Sequence, residues 1–219
     1  MNNAKIIAVT EPIKMINCEA TSVDAFIAYV ARISNPSNQN NTLTAPKLLR
    51  YLAKHKHWSP FEMVNIVMEI ETTRDIARQI LRHRSFSFQE FSQRYSVATK
   101  LEDIQWRMQG KTNRQVGDGE FELSPEDRAW MYQIQKESQS LYNKLIDAGV
   151  ARESARFILP LNTQTTLYMS GTLRSWITYL QLRTKQDTQK EHRDIAEALK
   201  VIFKQEFPVI SEALFDNWF

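Results

Sequence analysis

The sequence is short of the residue types that carry several common chemistries. One cysteine, Cys18, stands among 219 residues, which excludes an internal disulfide and any site built from several thiolates. A reducing, cytoplasmic setting is the matching expectation. Five glycines are present, and they form neither a G-x-G-x-x-G nor a Walker loop. A phosphorylated ligand must then be gripped by side chains rather than by Gly-rich backbone. Long apolar runs are missing too. The opening MNNAKIIAVTEPIKMINCEA holds only Ile6 to Val9 before Glu11 and Pro12, too little for a signal-peptide core. No later stretch approaches the roughly 18 apolar residues of a membrane helix. Net charge is slight, with 28 Lys+Arg against 25 Asp+Glu giving +3.

What is there reads as an ordinary globular chain. Hydrophobic residues make up 42% and charged residues 24%, enough apolar surface for a core without covalent staples. The length fits one sizeable domain spanning 1–219. Residues 5–13 read as a strand. Thr21 or Ser22 caps an amphipathic helix carrying Phe26, Ile27, Val30 and Ile33. Residues 35–44 form a polar loop, and a helix follows from Pro46 to His55. Phe61–Thr72 alternates at Val64, Ile66, Met68 and Ile70, the period of a strand. From Thr73 the period turns helical, with Ile76 and Ile80 on one side and Arg74, Arg78 and Arg82 on another. Residues 85–96 read as extended, and 100–123 as a surface excursion. Ser124-Pro125 opens a long helix that ends at Gly149. A short helix at 151–158, a strand from Thr163 to Gly171, and helices at 172–184, 188–205 and 209–216 complete the reading. Strands mixed with helices, without repeats or linkers, predict a single α+β domain, its mixed or antiparallel sheet flanked by helices.

The charge is concentrated. Between residues 74 and 95 five arginines face only Asp75 and Glu90, a local balance of +3 equal to that of the whole chain. All five are Arg, whose planar fork suits phosphate and carboxylate better than the lysine point charge. Arg74, Arg78 and Arg82 also fit a solvated helix face. The compact Arg82-His83-Arg84, with Ser and Gln nearby, fits an anion site. A second constellation holds Arg152, Glu153 and Arg156 on one helical turn, where Glu153 and Arg156 have the spacing of a simple helix pair. Arg174 and Arg183 follow on a helix, nine residues apart and so on opposite sides. A third holds His55 and His57, which lack a carboxylate or thiolate partner at ligand spacing, so no metal is expected. Arginines interleaved with Phe86, Phe88, Phe91 and Tyr95 could grip single-stranded nucleic acid. The basic residues are few and local, which fits one mononucleotide or dinucleotide better.

Arg82-His83-Arg84, seven residues and Ser92, with the tail Gln93-Arg94-Tyr95-Ser96 and the preceding Ala77-Arg78-Gln79, resembles the signature of the flavin-dependent thymidylate synthases. The resemblance extends to WSPFE (58–62), ESARFILPLN (153–162), Arg174-Ser175, and LR followed by TQKE (182–191), leaving 100–123 least matched. It implies reductive methylation of dUMP to dTMP, with methylenetetrahydrofolate as one-carbon donor and FAD, reduced by NADPH, as hydride source. It also implies a sheet flanked by helices, assembled as a homotetramer with shared active sites, and no nucleic-acid or membrane partner.

The roles implied by resemblance fall on specific residues. Gln79, Arg82, Glu90, Ser92, Gln93, Arg94, Arg156 and Arg183 are implied for dUMP, with Glu153 as partner of Arg156 and Arg183 as the catalytic arginine that favours ionisation at uracil N3. His57, Ser59, Arg82, His83, Arg84, Glu90, Thr172, Arg174 and Thr178 are implied for FAD. The chain departs from the usual pattern at Met63, at Phe88-Gln89, at Thr172 and Thr178 where Asn is frequent, and at Asp187 where His is frequent. The residues agree with the chemistry independently. A one-carbon unit that ends as a methyl group needs electrons, which a flavin supplies. Cys18 stands outside every polar cluster, so the thiolate route to thymidylate has no evident nucleophile. An arginine opposing negative charge on the pyrimidine is a substitute.

Overall fold

The computed structural model describes residues 3–13, 18–97 and 100–215. A four-stranded antiparallel sheet forms the frame, in the order β1 (Asn3–Val9), β2 (Asn65–Thr73), β6 (Gln164–Thr172), β3 (Ser87–Glu90). Its centre is the nine-residue pairing of β2 with β6, from Asn65 opposite Thr172 to Thr73 opposite Gln164. Alternation decides which face is covered. Ile66, Met68 and Ile70 face the core together with Leu167 and Met169, whereas Glu69, Glu71, Thr166 and Tyr168 lie on the other face. Glu69 there accepts from Lys5 on β1 at 2.7 Å.

Both central strands run into helices without a loop. β2 leads into α3 (Arg74–Ile80) and β6 into α6 (Leu173–Arg183). Because the strands are antiparallel, these helices start at opposite ends of the pair and converge over the buried face. There they pack with α7 (Lys190–Glu206). Trp176 fixes α6 on the sheet, its buried indole Nε1 donating to Ile66 O at 3.1 Å. Of the outer helices, α1 (Val23–Ala31) and α2 (Ala45–Lys54) precede β2, and α8 (Pro208–Phe215) packs on α2. Ser22 caps α1 by accepting from Ala25 N at 3.2 Å. Ser124 likewise caps α4 (Pro125–Asp147), which stops where Gly149 takes φ +84°, a left-handed conformation that glycine adopts freely.

Four details differ from the sequence reading. Ser59-Pro60 starts a 3-10 turn (Ser59–Met63) that buries Phe61 against Trp58, so the strand begins at Asn65 rather than at Phe61. Helix α3 closes at Ile80, with Leu81 N bonded to Ala77 O and His83 N to Ile80 O. Arg82 therefore lies beyond the helix and does not continue the Arg74–Arg78 row. The excursion at 100–123 carries a two-stranded ribbon, β4 (Arg107–Gln109) with β5 (Gly117–Glu120). The expected strand at 5–13 ends at Val9, and residues 14–17 lie outside the described set.

Gly171 is required by packing. A Cβ there would stand 2.4 Å from the Phe86 ring, which lies on the β6 backbone and meets Trp176 edge-on at 4.8 Å. Gly171→Ala should displace Phe86 and the turn that carries His83. The expected cost is about 2 kcal/mol, seen as a fall of roughly 4–8 °C in Tm by calorimetry.

Candidate active site

The convergence of α3 and α6 brings together residues far apart in the chain. Arg183, the last residue of α6, donates from Nε to His83 Nε2 at 2.9 Å. His83 is thereby an acceptor and must be neutral. Burial, and then the Arg183 charge, pull its pKa down to about 4. Its ring meets the buried Tyr179 edge-on at 4.9 Å. Behind it, His192 on α7 is fully buried, with its pKa lowered to about 3 by burial, then by Arg183 and His83. His192 Nε2 bonds the Tyr179 hydroxyl at 3.0 Å, and its Nδ1 lies 3.3 Å from Gln79 Oε1. Gln79 also donates from Nε2 to Gln189 Oε1 at 2.7 Å.

On either side of His83, Arg82 and Arg84 are exposed and have no acidic partner among the described residues. Next to them Ser175 Oγ donates to Ser85 O at 3.3 Å, which joins this turn to the start of α6. Thr172 caps that helix, accepting from Ser175 N at 3.2 Å, and Thr178 donates back to Arg174 O at 3.1 Å. Arg174 pairs with Glu62, which lies on the turn that Ser59 begins. Glu62, Arg174, Ser175 and the Arg82–Ser85 turn are thus linked across one part of the surface. His57 is exposed and stacks edge-on with Tyr51 at 5.9 Å, while His55 tilts on the same ring at 4.3 Å.

The remaining candidates follow β3, a strand about 13 Å long at four residues. Glu90 Oε1 accepts from Arg74 Nη1 at 2.6 Å and from Thr165 Oγ1 at 2.9 Å. Arg74 is therefore a buried-side partner of Glu90, and Arg78 is the exposed arginine of α3. Ser92 and Arg94 line a hollow of about 440 Å³ with Tyr95, Ala151, Arg152 and Glu153. Glu153 pairs across it with Arg94 at 3.7 Å rather than with Arg156. Helix α5 (Arg152–Ala155) passes directly into a 3-10 turn at Arg156–Ile158, so the three-residue spacing is kept, but the Glu153 side chain turns to Arg94. Gln93 is buried, 6% exposed, and Arg156 is half-buried.

Sequence reasoning missed Tyr179, Gln189, Glu191 and His192 as neighbours of Gln79 and His83. The TQKE run held a signal for Gln189 and Glu191, but none pointed to Arg107, which pairs with Glu191 from the ribbon. Among the described residues no helix is long and apolar enough to cross a membrane.

Residues 18–209 match the family model described as thymidylate synthase complementing protein. The chain is 49% identical to a probable flavin-dependent thymidylate synthase of Paramecium bursaria Chlorella virus 1, over 97% of this chain and 98% of the relative. It is 48% identical to the flavin-dependent thymidylate synthase of Synechocystis sp., over 97% and 99%. Its fold is similar to that of a UMP/dUMP methylase, PolB from Streptomyces cacaoi bound with 5-Br dUMP, at TM-score 0.79 and 25% identity over 97% of this chain and 94% of that one. With the Arg82-His83-Arg84 turn held against α6 and likeness along nearly the whole chain, this protein belongs to the flavin-dependent thymidylate synthase family.

Proposed function

We propose that the chain carries out its family's reaction, the reductive methylation of dUMP to dTMP, with methylenetetrahydrofolate as one-carbon donor and FAD reduced by NADPH. The observation that carries this reading is the Arg183–His83 contact. It fixes a guanidinium by one nitrogen against a neutral ring, leaving its other donors for a ligand on which negative charge develops. A protonated His83 would repel Arg183. The depressed pKa therefore keeps the full arginine charge available to the pyrimidine, the task of a preorganised electrostatic catalyst.

The surface around it fits a flavin nucleotide. Arg82 and Arg84, unneutralised by any acid among the described residues, suit a pyrophosphate. The hydroxyls of Ser59, Thr172 and Thr178 and the cation of Arg174 supply further donors, with His57 and Glu90 at the margins of the same assignment. When bound, the reduced flavin supplies the electron pair that turns a methylene unit into a methyl group. This chain's residues do the rest. Gln79 faces the base, Arg183 opposes charge on it, and Ser92, Gln93, Arg94 and Arg156, with Arg82, hold the nucleotide. At C5 a carbon bond replaces the C–H bond, whose hydrogen leaves as a proton. Cys18, a free and half-buried thiol, has no part in this scheme. NADPH would restore the reduced flavin by giving up its hydride, and exchange of the spent folate would complete the cycle.

A homotetramer with shared sites is part of the proposal. Its support is an apolar stripe on α4, where Trp130 is 65%, Ile134 50% and Leu141 47% exposed at helical spacing, with Phe157 82% exposed beside it in sequence order on the next elements. Burial between copies would remove that surface from water.

Arg183→Ala is expected to abolish release of tritium from position 5 of labelled dUMP while the purified protein stays yellow with FAD. Unchanged release would overturn the role of Arg183, and a colourless protein that also refuses added FAD would overturn the flavin reading. The histidines make stability depend on pH. An unfolded chain protonates each of them near pH 6.5, whereas the folded chain resists until about 4 at His83 and about 3 at His192. In that window the unfolded state binds more protons, so this contribution is complete above about pH 6.5 and is lost as pH falls to about 4 for His83 and about 3 for His192. Urea midpoints should drop across this range, and His192→Leu should flatten the slope.

A further inference from the structure

Beneath the Arg183–His83 contact runs a continuous series of hydrogen bonds, from Tyr179 through His192, Gln79 and Gln189 to Glu191 and Arg107. Its direction can be worked out from one end. Glu191 lies at the start of α7 and pairs with Arg107 from the ribbon. Burial works against its charge. Hydrogen bonds from Arg107, from its own backbone N–H and from Gln189 outweigh that, and its pKa lies below the ordinary glutamate value. A carboxylate only accepts. The 3.0 Å contact with Gln189 is therefore a bond donated by Gln189 Nε2.

Each further assignment follows from the one before. With Nε2 turned to Glu191, Gln189 presents Oε1 to Gln79 and accepts from its Nε2 at 2.7 Å. Gln79 then presents Oε1 to His192, so His192 carries its proton on Nδ1. His192 Nε2 is left bare and accepts from the Tyr179 hydroxyl at 3.0 Å. Every donor points towards one carboxylate. The Gln79 amide is pinned at both its nitrogen and its oxygen, and half-buried, it retains one N–H and one lone pair in a fixed order.

That order matters for a pyrimidine. Uracil offers an acceptor at O4 beside a donor at N3, and cytosine offers a donor at N4 beside an acceptor at N3. An amide free to turn over serves both edges, whereas an amide held one way matches one and opposes the other, leaving buried polar groups unpaired. We propose that Glu191, held by Arg107 and acting through Gln189, is a specificity-determining positioning residue that fixes the Gln79 amide for a uracil edge and against a cytosine edge. The inference rests on the reading of Gln79 as the residue that faces the base. Arg107 reaches Glu191 through Nη2, while its Nη1 is buried without a hydrogen-bond partner.

The test compares dUMP and dCMP binding to the flavin-loaded enzyme by calorimetry. Glu191→Gln keeps the shape but can donate, so Gln189, and with it Gln79, can turn over. Its preference for dUMP over dCMP should shrink about tenfold, through weaker dUMP and tighter dCMP binding, with flavin content unchanged. Gln189→Ala cuts the series at another point and should produce the same loss of preference, which keeps the test open if Glu191→Gln folds poorly. A purely structural role would instead weaken both nucleotides alike and leave the preference between them unchanged. If Gln79→Ala erodes the preference while Glu191→Gln and Gln189→Ala leave it intact, the positioning role is overturned. If Gln79→Ala leaves the preference intact, the base-facing reading fails and the proposal with it. A wild-type protein that binds FAD but no dUMP would overturn the proposed function itself.

Discussion

The site depends on the pairing of β2 with β6. Nine residues on each strand, roughly 30 Å of sheet, continue directly into α3 and α6, which leave from opposite ends. At about 1.5 Å per residue these helices span roughly 10 and 16 Å, so two elements that start far apart run towards each other and nearly meet. His83 and Arg183 stand where they meet. A one-residue slip in register would exchange the buried Ile66, Met68 and Ile70 for Val67, Glu69 and Glu71, and the cost of burying those carboxylates keeps the pairing where it is. The length of the strands and the polarity of their faces thus set the distance across which the arginine reaches the histidine.

Within this frame the arginines divide by partner. Arg74 spends its charge on Glu90 and Arg107 on Glu191, both with side chains less than a quarter exposed. Arg174 is tied to Glu62 near the surface. Arg82 and Arg84 lack acidic partners among the described residues. Arg183 has a neutral histidine as its partner rather than an acid. An acid there would cancel the guanidinium charge, and nothing at all would leave a long side chain unplaced. The buried Tyr179 and His192 serve the same end, because aromatic packing holds the His83 ring while contributing no charge.

Local pattern made much of the frame legible. Alternation at Val64, Ile66, Met68 and Ile70 identifies β2, and Ser124-Pro125 with Gly149 marks both ends of α4. These signals are written in adjacent residues and need no partner to be read. The Arg82–Ser92 motif located the arginine-rich turn by resemblance, and the turn lies against α6 in the fold. Legibility fails where geometry is decided at a distance. Gln79 meets His192 across 113 positions and Arg107 meets Glu191 across 84, and no periodicity encodes either contact. It fails again where a helix stops early. Spacing promised an Arg74–Arg82 row and a Glu153–Arg156 pair, but α3 ends at Ile80, and Glu153 turns to Arg94 from a distant segment although a 3-10 turn carries Arg156 directly after α5.

Arg94 and Glu153 face each other at 3.7 Å with side chains 67% and 62% exposed, in a medium where dissolved salt screens such a pair over about 8–10 Å. Arg74–Glu90 and Arg107–Glu191 are sheltered from that screening. The hollow beyond β3 therefore responds to ionic strength, its bridge loosening as salt rises, while the interior beneath His83 does not. One molecule thus holds an ion pair open to the surrounding electrolyte at its rim and two sheltered from it beneath.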